Sequence, residues 1–235
     1  MNLSQFNNTT CNEREIYEQL PLDNKNILEL GCGKADITRL IATGGPGRKI
    51  TATEVDEIQH AKNLLIDDLP NVTFIVAGSE KIPVDDASFD FIFMFKSLHH
   101  VPTELMADAL REVERVLKPD GIAYISEPVF KGDFNEVLRL FHDEEMVRTA
   151  AQKAIKQAVA DTSLNALETV HFNSAMGFKN FDDFENKIIK VTHTQHALSP
   201  QRQQRVEEQF ALNMDSNGAT FLMPIRVDVL QKAAL

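Results

Sequence analysis

Two adjacent histidines, His99 and His100, follow the apolar run "FDFIFMF" and the short link "KSL". Imidazole changes charge near neutral pH, so such a pair beside a cleft is a candidate for taking a proton from a bound molecule. Neighbouring side chains on a loop rarely point the same way, so one of the two can be structural. Glu127 stands before Pro128 at the end of a second apolar run, "IAYIS", where it either orients a substrate or caps the next segment. Upstream, "ILELGCGKAD" sets Gly31 and Gly33 directly after four mostly apolar residues. Glycine costs backbone entropy there, and it is retained where something must approach the main chain closely. A Gly-x-Gly turn between a strand and a helix suits a dinucleotide or another nucleoside-bearing ligand. The full G-x-G-x-x-G pattern needs glycine at 36, where this chain has Asp36. An acid opening the helix opposes a pyrophosphate, so the near end of the ligand is expected to be uncharged or cationic.

These residues need a frame to hold them, and the alternation of elements supplies one. "EREIYEQL" reads as a first helix behind a capping box from Thr10 to Glu13, with Tyr17 on its apolar side. "NILELG", "KITATEV", "NVTFIVAG", "FDFIFMF" and "IAYISEP" read as five strands. Between them lie "KADITRLIAT", "DEIQHAKNLLIDDL", with Ile58, Ala61, Leu64 and Leu65 near helical spacing, and the amphipathic "PTELMADALREVERVL". Strand and helix alternate from 26 to 127, the signature of a parallel, doubly wound sheet with right-handed crossovers. After Glu127 the rhythm changes, and "ATFLMPIRVDVLQK" reads as a closing strand. Residues 1–23 are expected to cover the core 24–128, 131–175 to form a helical lid over the carboxyl edge of the sheet, and 176–235 to complete it.

Composition narrows the partners. The chain has 235 residues and a net charge of −11, which weakens any case for nucleic acid as a partner. No apolar run is long enough to span a bilayer, and "MNLSQFNNTT" lacks the blocks of a signal peptide. Cys11 and Cys32 cannot build a disulfide framework, and Cys32 is expected to pack as a small apolar residue. A cytoplasmic protein is expected. The spacing of His171, His193 and His196 fits no ligand pattern, so no metal is expected.

Four pieces in order, "ILELGCGKAD", "TATEVD", "AGSEKIPVDDASFDFIFMFKSLHHV" and "LREVERVLKPDGIAYISEP", resemble the class I S-adenosylmethionine-dependent methyltransferases. Among these the likeness is to the small-molecule group related to ubiquinone/menaquinone-biosynthesis methyltransferases, and it spans about residues 24–128. It implies a Rossmann-like, doubly wound, seven-stranded, mostly parallel sheet and transfer of a methyl group to a small-molecule acceptor, leaving S-adenosylhomocysteine. It further implies that Glu29 lies near the methionine ammonium and that Gly31 and Gly33 admit the methionine portion. Glu54 is to accept from both ribose hydroxyls and Val55 to pack on adenine. Gly78 and Ser79 line the adenine edge, and Phe95 and Lys96 present carbonyls to the amino group. His99 and His100 become candidate bases, Glu127 is a candidate for the acceptor pocket, and Tyr17 either lines that pocket or staples its helix to the sheet, core packing being the favoured reading. Phenylalanines between 130 and 184 are to supply apolar cover. Two departures stand out: Gly78 replaces a usual aspartate, with Glu80 or a carbonyl as its substitute, and Ala35 replaces the third glycine. A nicotinamide-dependent oxidoreductase and a non-catalytic S-adenosylmethionine-binding protein are the rival readings.

Overall fold

The computed structural model describes residues 2–190 and 198–234. Its sheet runs β3-β2-β1-β4-β5-β8-β6, built from β1 (Asn26–Leu30), β2 (Lys49–Glu54), β3 (Val72–Val76), β4 (Phe89–Phe95), β5 (Leu117–Pro128), β6 (Leu164–Phe178) and β8 (Gly218–Lys232). The two-residue β7 (Met214–Asp215) pairs on β8 as an eighth strand. The first five strands are parallel, and β8 is antiparallel to both β5 and β6.

The central strands are apolar throughout because both faces are covered, and the period of two sorts their side chains. On β4, Phe91, Phe93 and Phe95 enter one core, while Ile92 and Met94 enter the other. The first core also takes Ile16 and Tyr17 of α1 (Glu13–Tyr17) and Ile41 of α2 (Asp36–Ala42). Tyr17 meets Phe95 edge-on with ring centres 5.5 Å apart, and Phe93 stacks on Phe95 at 5.1 Å. The second core is closed by the expected stripe of α4 (Met106–Val116), in which Met106, Ala109, Leu110, Val113 and Val116 are buried. Within β1, Ile27 belongs to the first core and Leu28 to the second. Alternation therefore places Glu29 on the Tyr17 side of the sheet.

Three local expectations are corrected. The capping box of α1 is set by Asn12 and Glu15, two residues later than Thr10 and Glu13: Arg14 N–H donates to Asn12 Oδ1 and Asn12 N–H to Glu15 Oε1. The third helix, α3 (Glu57–Asn63), is short, and Ile58, Leu64 and Leu65 stand in solvent while Asn63 is buried. Residues 131–175 are not a helical insertion throughout. Helices α5 (Asp133–Leu138) and α6 (Glu145–Asp161) occupy its first part, but β6 begins at Leu164. Val170 and Phe172 of β6 are buried while His171 between them is exposed, the pattern of an edge strand with one wet row. Helix α6 packs on α4, its Ala151, Ile155 and Ala158 joining the second core.

A third core lies between α5, α7 (Phe181–Phe184), α8 (Pro200–Ala211) and the distal halves of β6 and β8. The five-residue π-turn Glu185–Ile189 follows α7, and Ser199 caps α8 through Arg202 N–H. Phe134, Phe178, Phe184, Phe210 and Phe221 form this core, so these phenylalanines cover one another. Among the described residues no helix is long and apolar enough to cross a membrane. Because Phe178 touches four other rings in this core, Phe178→Ala is predicted to cost about 3–5 kcal/mol in stability. Denaturant unfolding of the purified variant checks this, and a cost below about 1 kcal/mol would refute it.

Candidate functional site

The residues singled out above gather at the carboxyl ends of the parallel strands, around the point where order reverses between β1 and β4. Gly31 and Gly33 follow β1 in the left-handed region, at φ +75° and +53°. A methyl group on Gly31 would come within 2.9 Å of Ser97 Cβ, whereas nothing lies within 4 Å of one on Gly33. Ala35 also takes a left-handed conformation, at φ 62°, so the turn keeps its shape without the third glycine.

Glu54, the last residue of β2, braces this turn. Its Oε2 accepts from Gly33 N–H at 2.8 Å, and its Oε1 accepts from Val55 N–H at 2.8 Å and Asp56 N–H at 2.9 Å. A carboxylate offers about four acceptor directions. Three are filled, so one remains on Oε2. Asn63 adds a second brace, its Nδ2 donating to Gly33 O at 2.8 Å and lying 3.5 Å from Cys32 Sγ. Burial pushes the Cys32 thiol up to about 12, which leaves it protonated and inert at neutral pH. Val55, beside Glu54, is an apolar side chain with 69% of its surface exposed. The turn after β3 is joined to β2 by Ala77 N–H to Glu54 O at 3.3 Å. Gly78 sits there with Glu80 folded over it, and a Cβ at 78 would fall 2.3 Å from Glu80 Oε1. Ser79 beside them is buried.

On the Tyr17 side, Glu29 is fully enclosed and accepts from Thr38 Oγ1 at 2.6 Å. Burial, partly opposed by that bond, raises its carboxyl to about 7. Tyr17 Oη is buried and has no hydrogen-bond partner among the described residues. Phe95 is buried at the end of β4, and Lys96 follows it at φ 55°. Lys96 N–H donates to Ser126 O at 2.8 Å, and its ammonium pairs with Glu13 of α1.

His99 and His100 lie in the 3-10 turn Leu98–His100, with rings 4.1 Å apart. His99 is buried and His100 exposed. Glu127 on β5 holds this turn with both oxygens: Oε1 accepts from Leu98 N–H at 2.9 Å, and Oε2 bonds His99 Nδ1. Glu127 therefore orients His99. Of the residues considered for a metal, His171 lies on β6 with its backbone N–H bonded to Asn7 Oδ1, and His193 and His196 lie outside the described residues. A surface depression lined by Asn26, Lys49, Thr51, Asn71 and Ser88 opens at the opposite, amino ends of the strands.

Sequence reasoning missed Asn63, Glu13 and Glu144. Asn63 lies on a helix read only for its apolar spacing, and Glu13 was assigned to the capping box, so neither was linked to its distant partner, Gly33 or Lys96. Glu144 stands in the acidic run "HDEEM", whose composition alone suggests a solvated face; it is buried, its Oε1 3.9 Å from His99 Nε2.

Residues 27–121 match a family model described as a methyltransferase domain. The ubiquinone/menaquinone biosynthesis C-methyltransferase UbiE of Rickettsia bellii is 34% identical over 115 residues, which cover 46% of this chain and 46% of that protein. The match thus spans less than half the length of the curated relative. Across most of the chain the fold is shared with a putative methyltransferase from Bacillus halodurans, at TM-score 0.66 and 14% identity over 94% of this chain and 98% of that one. An S-adenosylmethionine-dependent methyltransferase from Aquifex aeolicus gives 0.55 and 20%, over 67% and 81%. The matched residues 27–121 hold the glycine turn, the Glu54 brace and the histidine pair, and the chain shares the fold of these solved methyltransferase structures.

Proposed function

We propose that the chain transfers a methyl group from S-adenosylmethionine to a small-molecule acceptor. The observation that carries this reading is the Glu54 carboxylate, anchored by three backbone N–H groups beside the glycine turn and keeping one acceptor direction open. The surroundings fit such a group. Exposed Val55 offers an apolar face for a base, and the space around Gly33 admits a chain of atoms. Buried Glu29 favours a cation, and Tyr17 Oη lacks the partner that a buried hydroxyl requires. Exposed Asp36, first residue of α2, disfavours the pyrophosphate of a nicotinamide dinucleotide.

When bound, S-adenosylmethionine supplies a methyl carbon on a sulfonium, already a good leaving group, for displacement in line. The residues then have mainly to align and enclose. Glu54 takes one ribose hydroxyl on its open direction. A second hydroxyl is accommodated only if Gly33 N–H turns aside, and the open space around Gly33 permits this. Glu29 faces the ammonium, and the carbonyls of Phe95 and Lys96 are to accept from it. Tyr17 supplies a hydroxyl at the same end. Gly78 and Ser79 form the edge for adenine, with Glu80 standing over Gly78 in place of an aspartate. His99 and His100 handle the acceptor, favouring the anionic form of its nucleophilic atom, and Glu127 positions His99. A small acceptor is consistent with the curated relative's name, and a screen of metabolites with methyl-labelled donor identifies it.

Two outcomes test the donor site. Glu54→Gln places an N–H2 where a carboxylate oxygen stood and loses a charge-assisted bond of about 1.5–3 kcal/mol. Calorimetry with S-adenosylhomocysteine is expected to show affinity at least about tenfold weaker in the folded variant, and unchanged affinity would refute the assignment. Glu29 carries the second. Its folded carboxyl titrates near 7 against 4.5 for the free group, so its stabilising contribution is full below about 4.5 and lost as pH rises through about 7. A ligand ammonium beside it favours the ionised form. Below pH 7, donor binding is therefore expected to release about one proton, and affinity to rise between about pH 6 and about pH 8. Calorimetry in buffers of differing ionisation enthalpy measures this. Equal proton release by wild type and Glu29→Gln would contradict the role.

A further inference from the structure

His99, His100 and Glu144 come from places 44 residues apart in sequence, yet one ligand atom from each lies within 4.8 Å of the other two. His99 and Glu144 are buried, and His100 faces outward. The hydrogen bonding around them fixes which atoms are offered. Glu127 engages His99 Nδ1 while its other oxygen is held by Leu98 N–H, so Nε2 is the ring nitrogen left to face Glu144. His99 Nε2 lies 3.9 Å from Glu144 Oε1, too far for a hydrogen bond and near enough for one ion to bridge the two. Glu144 is held just as firmly. Its Oε2 takes Arg148 Nη2 at 2.5 Å, and its Oε1 is 2.9 Å from His142 Nε2. Arg148 thereby turns Oε1 toward the histidines.

We propose that His99 Nε2, His100 and Glu144 Oε1 bind one first-row transition-metal ion of the zinc type. Two imidazoles and one carboxylate are the donor set such ions prefer, whereas magnesium and calcium prefer oxygen alone. Metal–ligand bonds of about 2.0–2.1 Å put neighbouring donor atoms about 3.4 Å apart, so the 3.9 Å pair has to close by about 0.5 Å and a pair at the 4.8 Å bound by about 1.4 Å. Glu127 on the far nitrogen of His99 is the carboxylate–histidine arrangement that orients a ligating imidazole and raises its basicity. Three protein ligands leave a position open. Resting on the proposed methyl transfer, that position takes an oxygen of the acceptor, which defines the substrate class as a hydroxyl- or carbonyl-bearing molecule. His99 then serves as a ligand, and the anionic acceptor oxygen is stabilised by the ion. The sequence reading expected no metal because it considered His171, His193 and His196; His171 lies on β6, and the other two lie outside the described residues.

The test is a titration of chelator-treated full-length protein with Co2+, followed by visible absorption and calorimetry, for wild type, His100→Ala and Glu144→Gln. Circular dichroism confirms that each is folded; His100 is exposed, so its removal leaves the core intact. S-Adenosylhomocysteine is titrated in parallel as an independent measure of the donor site. The expected result is one Co2+ per chain with a ligand-field band, and affinity at least about tenfold weaker in each variant. No uptake by wild type, or equal uptake by the variants, would overturn the metal site. If S-adenosylhomocysteine still binds in that case, only the metal assignment fails; if it does not bind, the donor reading fails as well.

Discussion

A carboxylate at the end of one strand holding the main chain at the end of its neighbour is the constraint on which the site depends. Glu54 joins the N–H of Gly33 to those of Val55 and Asp56, so the β1 and β2 turns move as one unit. A charged group with little exposed surface persists because charge-assisted bonds replace its water. The glycines follow from this geometry. Gly31 must pass close to Ser97, and the left-handed turn brings Gly33 N–H to the carboxylate. Asn63 closes the arrangement from α3 by holding Gly33 O.

The sheet turns this local brace into a site with distinct ends. Period-two alternation sends Glu29 to the same side as Tyr17, Phe93 and Phe95, where an aromatic wall and α1 exclude water. Burial there raises the Glu29 carboxyl to about 7 and leaves the Tyr17 hydroxyl unpartnered. The next parallel strands carry the histidine turn and Glu127, and α6 brings Glu144 and Arg148 against them. A buried carboxyl and a histidine cluster thus lie at neighbouring strand ends, the arrangement that the proposed two-substrate reaction needs.

Much of this was legible in the sequence, and the reasons differ by element. The strands of the parallel half announce themselves because burial on both faces makes them continuously apolar, as in "FDFIFMF". The stripe of α4 was readable because one face meets the core. Strand β6 was not, because an edge strand with His171 and Asn173 on its wet row resembles an irregular segment. The apolar spacing of Ile58, Leu64 and Leu65 misled for the converse reason: α3 buries Asn63, whose amide the glycine turn requires. Glu54 and the glycines could be read locally, while the link from His99 to Glu144 exists only once the chain has folded.

The central claim is that the open acceptor direction of Glu54 receives the ribose of a methyl donor. A crystal structure with S-adenosylhomocysteine tests it most directly. The account predicts a ribose hydroxyl on Glu54 Oε2, with the amino-acid tail running past Gly31 toward Glu29. Density for the ligand elsewhere, or an unchanged Glu54 beside an empty turn at saturating ligand, would contradict it.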